Sequence, residues 1–133
     1  MGRTRNVDYE QLLAFRIALR RFQRWSEEQA KAADMTPAQH QLLLCVRGCS
    51  DPDGPTISDI ADCLMLRHHS AVELVDRAAK SGLVRRHDDL ADARVTRVRL
   101  TAKGGRILQT LTSVHLEELR RLSALLQPVI AAD

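Results

Sequence analysis

From Asp8 to about Ala33 the chain runs without proline or glycine, and its apolar residues fall at helical spacing in two sets, Leu12, Phe15, Leu19, Phe22 and Tyr9, Leu13, Ile17. The spacing predicts a long helix with more than one apolar stripe. Such a helix must be covered from two directions, by its own domain or by a second copy. Thr36 and Pro37 mark a second start, a hydroxyl cap followed by proline at the first helical position, and Leu42, Leu43, Cys45 and Val46 continue a buried run ending near Gly48. Asp51 to Pro55, Asp-Pro-Asp-Gly-Pro, reads as a surface loop rather than a domain linker.

Thr56 to Met65 opens with a hydroxyl cap, follows it three residues later with Asp59, and sets Ile57, Ile60, Ala61 and Leu64 on one face. A short helix is expected there. After a turn around Leu66 to His68, a second amphipathic run starts near His69 or Ser70, buries Ala71, Leu74, Val75 and Ala78, and stops at Ser81-Gly82. Two short helices joined tightly make a helix-turn-helix. The period then changes to two: Leu83 to His87 and Arg94 to Leu100 read as strands joined by Asp88 to Ala93, with Val98 and Leu100 turned inward and Arg97 and Arg99 toward solvent or a ligand. Val95 breaks this alternation by sharing the arginine face. Thr101 caps a last long helix in which Ile107, Leu108, Leu111, His115, Leu119, Leu122, Leu126 and Val129 recur by threes and fours, and the chain from Ile130 to Asp133 is expected to fray.

The 133 residues suit one domain, mainly α with a small β-hairpin, and no internal repeat divides it. The formal charge of +3 is unevenly spread. Val84 to Leu100 holds five arginines against three aspartates, while 36–83 is net negative. Arginine supplies 17 of the 20 basic residues, the side chain suited to bidentate phosphate and base-edge contacts, although codon bias gives the same excess. No apolar run approaches the roughly 18 residues of a membrane span, and Met1 to Asn6 is polar and basic, so the expected location is the cytoplasm. Cys45, Cys49 and Cys63 lack the spacing of a zinc ribbon or a disulfide framework and are expected to be buried free thiols. Cys45 and Cys49, four apart on one helix, keep redox sensing open as the alternative. No metal site, cofactor or catalytic motif emerges: there is no glycine-rich phosphate loop, nucleophile elbow or HExxH.

The run His69-Ser70-Ala71-Val72-Glu73-Leu74-Val75-Asp76-Arg77, then Gly82-Leu83-Val84-Arg85-Arg86, Asp92-Ala93-Arg94 and Leu100-Thr101-Ala102-Lys103-Gly104, resembles the MarR family of bacterial transcriptional regulators over nearly the whole chain. The most specific part is Asp-x-Arg at a wing tip, followed after five residues by Leu-Thr-x-x-Gly. The resemblance implies a winged helix-turn-helix homodimer in one domain, 1–133. Dimerisation helices would lie at about 8–33 and 102–129, and a DNA-binding lobe at about 56–100. It further implies a non-enzymatic regulator, expected to repress, bound to a pseudo-palindromic duplex site. Many members respond to a small aromatic or phenolic effector, and a minority sense oxidants or metals.

On this reading the recognition helix offers His68, His69, Ser70, Val72, Glu73 and Arg77 to DNA. Ser70 or His69 could equally be that helix's N-cap. Members often carry a hydroxyl and then a basic residue where this chain has Val72 and Glu73. Valine can pack on a thymine methyl; Glu73 either accepts from a cytosine amino group or pairs with Arg77, and pairing is the favoured expectation. In the wing, Arg94 is expected at the minor groove with Asp92 orienting it, and Arg85, Arg86, Arg97 and Arg99 are phosphate or groove candidates, some of them simply solvent-facing. His40, Trp25 and Arg47 are polar-tipped residues that could border an effector crevice, a solvated or satisfied role being the ordinary alternative for each. The rival to DNA binding is a winged helix used for protein interaction, for which Glu73, Asp88 and Asp89 speak.

Overall fold

In the computed structural model, which describes residues 2–130, seven elements follow in order. They are α1 (Asn6–Ala32), α2 (Pro37–Gly48), α3 (Ile57–Leu64), α4 (His68–Lys80), β1 (Val84–Asp88), β2 (Thr96–Leu100) and α5 (Ala102–Ile130). The side chain of Val129 and the segment 131–133 lie outside the described residues. The caps expected from sequence form. Thr36 accepts from the Gln39 N–H while Gln39 accepts from the Thr36 N–H, each at 3.1 Å, and Thr56 and Asp59 make the same reciprocal box at 3.1 and 3.0 Å.

The start of α4 departs from expectation. Its N-cap is Arg67, whose side chain makes no capping bond, so neither His69 nor Ser70 is the cap; both lie inside the first turn. The cause is the preceding turn. Met65 ends α3 in the left-handed region (φ 55°, ψ 44°), and the Leu66 N–H closes back on the Ala61 carbonyl at 2.8 Å, which lets the chain re-enter a helix at His68.

β1 and β2 are antiparallel, with Arg85 opposite Arg99, Arg86 opposite Val98 and His87 opposite Arg97. The loop between them is longer than its sequence suggests, because β2 begins at Thr96 and not at Arg94. Asp89 folds it: its carboxylate accepts from the Ala91 and Asp92 N–H groups at 3.0 Å each, and the Val95 N–H donates to the Asp92 carbonyl at 3.0 Å. Arg94 is thereby moved from a strand to the loop tip. On its other side β2 receives the loop before α3, where the Val98 N–H donates to the Pro55 carbonyl at 3.0 Å.

One core joins these elements: Leu42, Leu43 and Val46 of α2, Ile57 and Ile60 of α3, Ala71, Val75 and Ala78 of α4, Val84 and Val98 of the hairpin, and Leu108 and Leu111 of α5. Each large aliphatic side chain withdrawn there favours folding by about 1.5–3 kcal/mol. Thr101 anchors α5 beneath the hairpin, accepting from the Gly104 N–H at 3.0 Å and donating to the Gly82 carbonyl at 2.6 Å. The far ends of the long helices are different. Tyr9, Leu12, Leu13 and Ile17 of α1 and Leu116, Leu119 and Leu125 of α5 are exposed, so among the described residues nothing supplies the second cover that the α1 pattern demands.

Candidate nucleic-acid interface

A cleft of about 310 Å³ opens between the start of α3, the first turns of α4 and the hairpin, lined by Thr56, Ile57, Ser58, His68, Val72, Arg86, Arg94, Val95 and Thr96. The helical N-terminus of α3 brings unpaired N–H groups and the positive end of its dipole to this wall. His68 and His69 are exposed on the first turn of α4, Ser70 is half-buried, and Val72 is half-buried against the core while lining the cleft. Glu73 and Arg77 are exposed and make no ion pair with each other. The expected pairing is therefore corrected: two long side chains on an open face gain too little to hold each other.

The five wing arginines separate by partner. Arg94, 90% exposed, is gripped by Asp92 through Nε–Oδ1 and Nη2–Oδ2 contacts of 3.1 Å each, and Asp92 also accepts the Arg94 backbone N–H at 3.0 Å. These bonds hold the Asp92 carboxyl below the usual carboxylate range. A two-point grip uses two of the five guanidinium N–H groups and leaves three directed outward. Arg85 is exposed and has no carboxylate partner among the described residues.

Arg86 instead folds onto α4, pairing with Asp76 and donating to the Val72 carbonyl at 3.4 Å, and Arg99 reaches Asp53 at 3.3 Å. Arg97 is the clearest departure from the sequence reading. Its Nε meets Asp89 at 2.5 Å, and its Nη1 donates to Asp51 at 3.0 Å and to the Gly54 carbonyl at 2.8 Å, so it is an internal tie between hairpin and loop and not a phosphate contact. Alternation along β2 correctly sets it apart from Val98, but the face it occupies is covered by the 51–55 loop.

Sequence reading missed Ser58 and Thr56 as cleft residues, although the capping box had already marked that end of α3. It also missed Leu90, almost wholly exposed at the wing tip, and the three carboxylates, Asp51, Asp53 and Asp76, that occupy wing arginines. The path of the 51–55 loop brings Asp51 and Asp53 within reach, and the packing of α4 against β1 brings Asp76.

Of the residues considered for an effector crevice, two come together. The His40 and Trp25 rings each lie 4.8 Å, centroid to centroid, from His115. His115 Nδ1 stands 2.7 Å from the Leu111 carbonyl, which only accepts, so Nδ1 carries the proton and Nε2 accepts from the Ser26 hydroxyl at 2.7 Å. Burial, and then the electrostatic cost of placing a second positive imidazole beside the His115 ring, holds the His40 imidazole below its ordinary pKa. A crevice of about 460 Å³ lined by Phe22, Ser26, Glu27 and His40 opens at this cluster. Arg47 lies apart, exposed in the last turn of α2.

A helix-turn-helix followed by a basic two-stranded hairpin, with a loop segment added to the edge of the sheet, defines a winged helix-turn-helix protein. The family model described as MarR family matches residues 33–95, just under half of the chain. The uncharacterised HTH-type transcriptional regulator YsmB of Bacillus subtilis is 37% identical over 65 residues, covering 49% of this chain and 44% of that protein. The LexA repressor of Magnetococcus marinus is 39% identical over 54 residues, covering 39% of this chain and 23% of that protein. The chain thus spans less than half the length of these curated relatives. Among solved structures, the MepR–DNA complex of Staphylococcus aureus has a TM-score of 0.71 at 24% identity, covering 83% of this chain and 80% of that one. AbsC, a MarR family transcriptional regulator of Streptomyces coelicolor, has 0.73 at 18%, covering 92% and 82%. A mutant of Escherichia coli MarR complexed with operator DNA has 0.69 at 22%, covering 84% and 79%. The fold is that of MarR-family regulators, and among the described residues no helix is long and apolar enough to cross a membrane.

Proposed function

We propose that two copies of this chain bind double-stranded DNA as a transcriptional regulator that acts as a repressor. The observation that carries the reading is the cleft in which α4, the start of α3 and the outward guanidinium of Arg94 share one surface. α4 enters the major groove with His68, His69, Ser70 and Glu73 toward base edges, and the wing sets Arg94 at the minor groove. Arg85 meets phosphate, and Arg77, one turn beyond Glu73, follows the groove wall. The exposed apolar ends of α1 and α5 pair two protomers, which places the recognition helices roughly 34 Å apart and selects a pseudo-palindromic site. MarR and MepR, of the same fold, have been solved with DNA, which supports this use of the surface. A small aromatic effector seated at the Trp25–His40–His115 cluster, where α1, α2 and α5 converge, would change the lobe spacing and lower DNA affinity, and DNA would lower effector affinity by the same factor.

Fluorescence anisotropy with a duplex from the chain's own upstream region tests the proposal. Affinity should fall roughly 10³-fold between about 50 and 200 mM salt if six or more phosphates are contacted. A second reading, a protein-interaction module, draws on the exposed Glu73, which has no ion-pair partner among the described residues, and on the four wing arginines, Arg86, Arg94, Arg97 and Arg99, that already meet carboxylates. A flat salt response favours it.

A further inference from the structure

Two side chains stand exposed against the sequence expectation: Cys63 of α3, expected to be buried, and Glu73 of α4, expected to pair with Arg77. Cys45 and Cys49 are half-buried, and all three thiols are free. Only Glu73 stands beside the cleft, one position along α4 from Val72, which lines it. α4 carries two carboxylates, and their surroundings differ. Asp76 is turned toward the hairpin and paired with Arg86, whose guanidinium also donates to the Val72 carbonyl at 3.4 Å. Glu73 has no ion-pair or side-chain hydrogen-bond partner among the described residues, although His69 and Arg77 lie about one turn to either side of it on the same exposed line.

Helical spacing fixes where that line points. Ala71, Val75 and Ala78 are buried in the core. At about 100° per residue Glu73 lies opposite them, and Val72 and Asp76 fall between, on the side of the hairpin. A helix with its side chains is about 10–12 Å across and the major groove about 12 Å wide, so the line opposite the core meets the groove floor while the flanking lines meet the phosphate walls.

We infer that Glu73 reads a cytosine in each half-site, accepting a hydrogen bond from its 4-amino group in the major groove. This assignment rests on the proposed function and adds to it the identity of a base. A carboxylate only accepts, and it gives up water on entering the groove, so it needs a donor there. Guanine offers two acceptors, and thymine an acceptor and a methyl group. Adenine offers a donor, but its own N7 on one side and the O4 of its paired thymine on the other repel the second carboxylate oxygen. The cytosine amino group has an acceptor on one side only, the guanine O6, and the C5–H edge on the other, where the second oxygen meets no lone pair. Cytosine is therefore the preferred base and adenine its nearest rival.

The test selects binding sites from a random duplex library with the full chain, Glu73→Gln and Glu73→Ala, and then measures affinities for the selected duplex and its single-base changes at one salt concentration. The wild type should enrich one cytosine column, repeated in each half-site by the twofold relation. Replacing that cytosine should weaken wild-type binding about tenfold or more per half-site. Glu73→Gln should move the column to adenine and leave the others, because an amide accepts from adenine N6 and donates to N7. Glu73→Ala should lose the preference at that column alone. Both variants should keep the circular dichroism and subunit mass of the wild type, since the side chain they alter is exposed and unbonded. A carboxylate that merely faced phosphate would give the opposite result: both variants would bind every duplex more tightly and select the wild-type consensus. That outcome overturns the assignment, as does a Glu73-dependent column that is not cytosine. A wild type that binds no duplex even at low salt overturns the proposed function, and the base assignment with it.

Discussion

Arg97 and Asp89 meet at 2.5 Å at the base of the wing, with side chains only 17% and 15% exposed, and each is further tied: Arg97 to Asp51 and Gly54, Asp89 to the N–H groups of Ala91 and Asp92. The pair fixes the shape of the loop that carries Arg94. Arg97→Ala should therefore lower the thermal midpoint by several degrees and weaken DNA binding indirectly. Arg97→Lys should rescue little, because an ammonium cannot reproduce a three-partner fork. Thermal unfolding beside hydrogen exchange of residues 89–95 checks this; a rigid wing in Arg97→Ala would contradict it.

Arg94→Ala should do the reverse. Its guanidinium is almost fully exposed and its one ion pair is a solvated one, so stability and subunit mass should stay as they are. Duplex affinity should drop, and the slope of log affinity against log salt should lose about one unit if the arginine meets a phosphate at the groove edge. Unchanged affinity in a protein of unchanged mass would remove Arg94 from the interface.

Gly104 is needed for closeness and not for its backbone angle. A Cβ there would stand 2.1 Å from the Leu83 carbonyl oxygen, where α5 passes under the hairpin. Gly104→Ala should cost about 1–3 kcal/mol in denaturant unfolding, while Gly105→Ala, whose Cβ meets nothing within 4 Å, should be tolerated.

Acid should act in two stages. His40 favours its neutral form in the fold, so the stability it contributes is intact above its ordinary value of 6.5 and is lost as pH falls from there toward the lower folded value. Asp89 and Asp92 have carboxyls depressed chiefly by their bonds to Arg97 and Arg94; their contribution persists down to the ordinary value of 3.8 and is lost as pH falls through the lower folded values. Thermal midpoints measured from about pH 7 to about pH 5 should fall for the wild type and much less for His40→Asn. Equal slopes would place the titration elsewhere.

Leu12→Glu and Leu119→Glu each put a charge on an exposed apolar stretch that makes no contribution to the core. Sedimentation should show monomers in place of dimers, with the fold of each chain kept in circular dichroism. A persistent dimer would move the interface away from these helix ends.

Most elements were legible in the sequence because their signals are local. A Thr–x–x–Asp box, a proline at a first helical position and a glycine after a last turn each act within four residues, and so the bounds of α2, α3 and α5 follow closely. The start of α4 was misread for the same reason: its N-terminus depends on the left-handed Met65 and not on a capping side chain, and Met is a residue that seldom announces that conformation.

The candidate site was legible in part. Alternation separated Val98 from Arg97, and the charge run located the wing. Which arginines remain free for a ligand depends on Asp51, Asp53 and Asp76, which approach from other segments.

By itself, then, the sequence determined the order and kind of the elements, the core face of each and the family pattern, all of them properties of hydrogen bonds and hydrophobic spacing within a few residues. Tertiary structure alone decided the partner of each charge and the place of each thiol: Arg97 turned inward, Arg94 left at a loop tip, Cys45, Cys49 and Cys63 brought to the lining of one groove. Ion pairs depend on distances of a few ångströms between segments far apart in the chain, and only the packed core sets those distances.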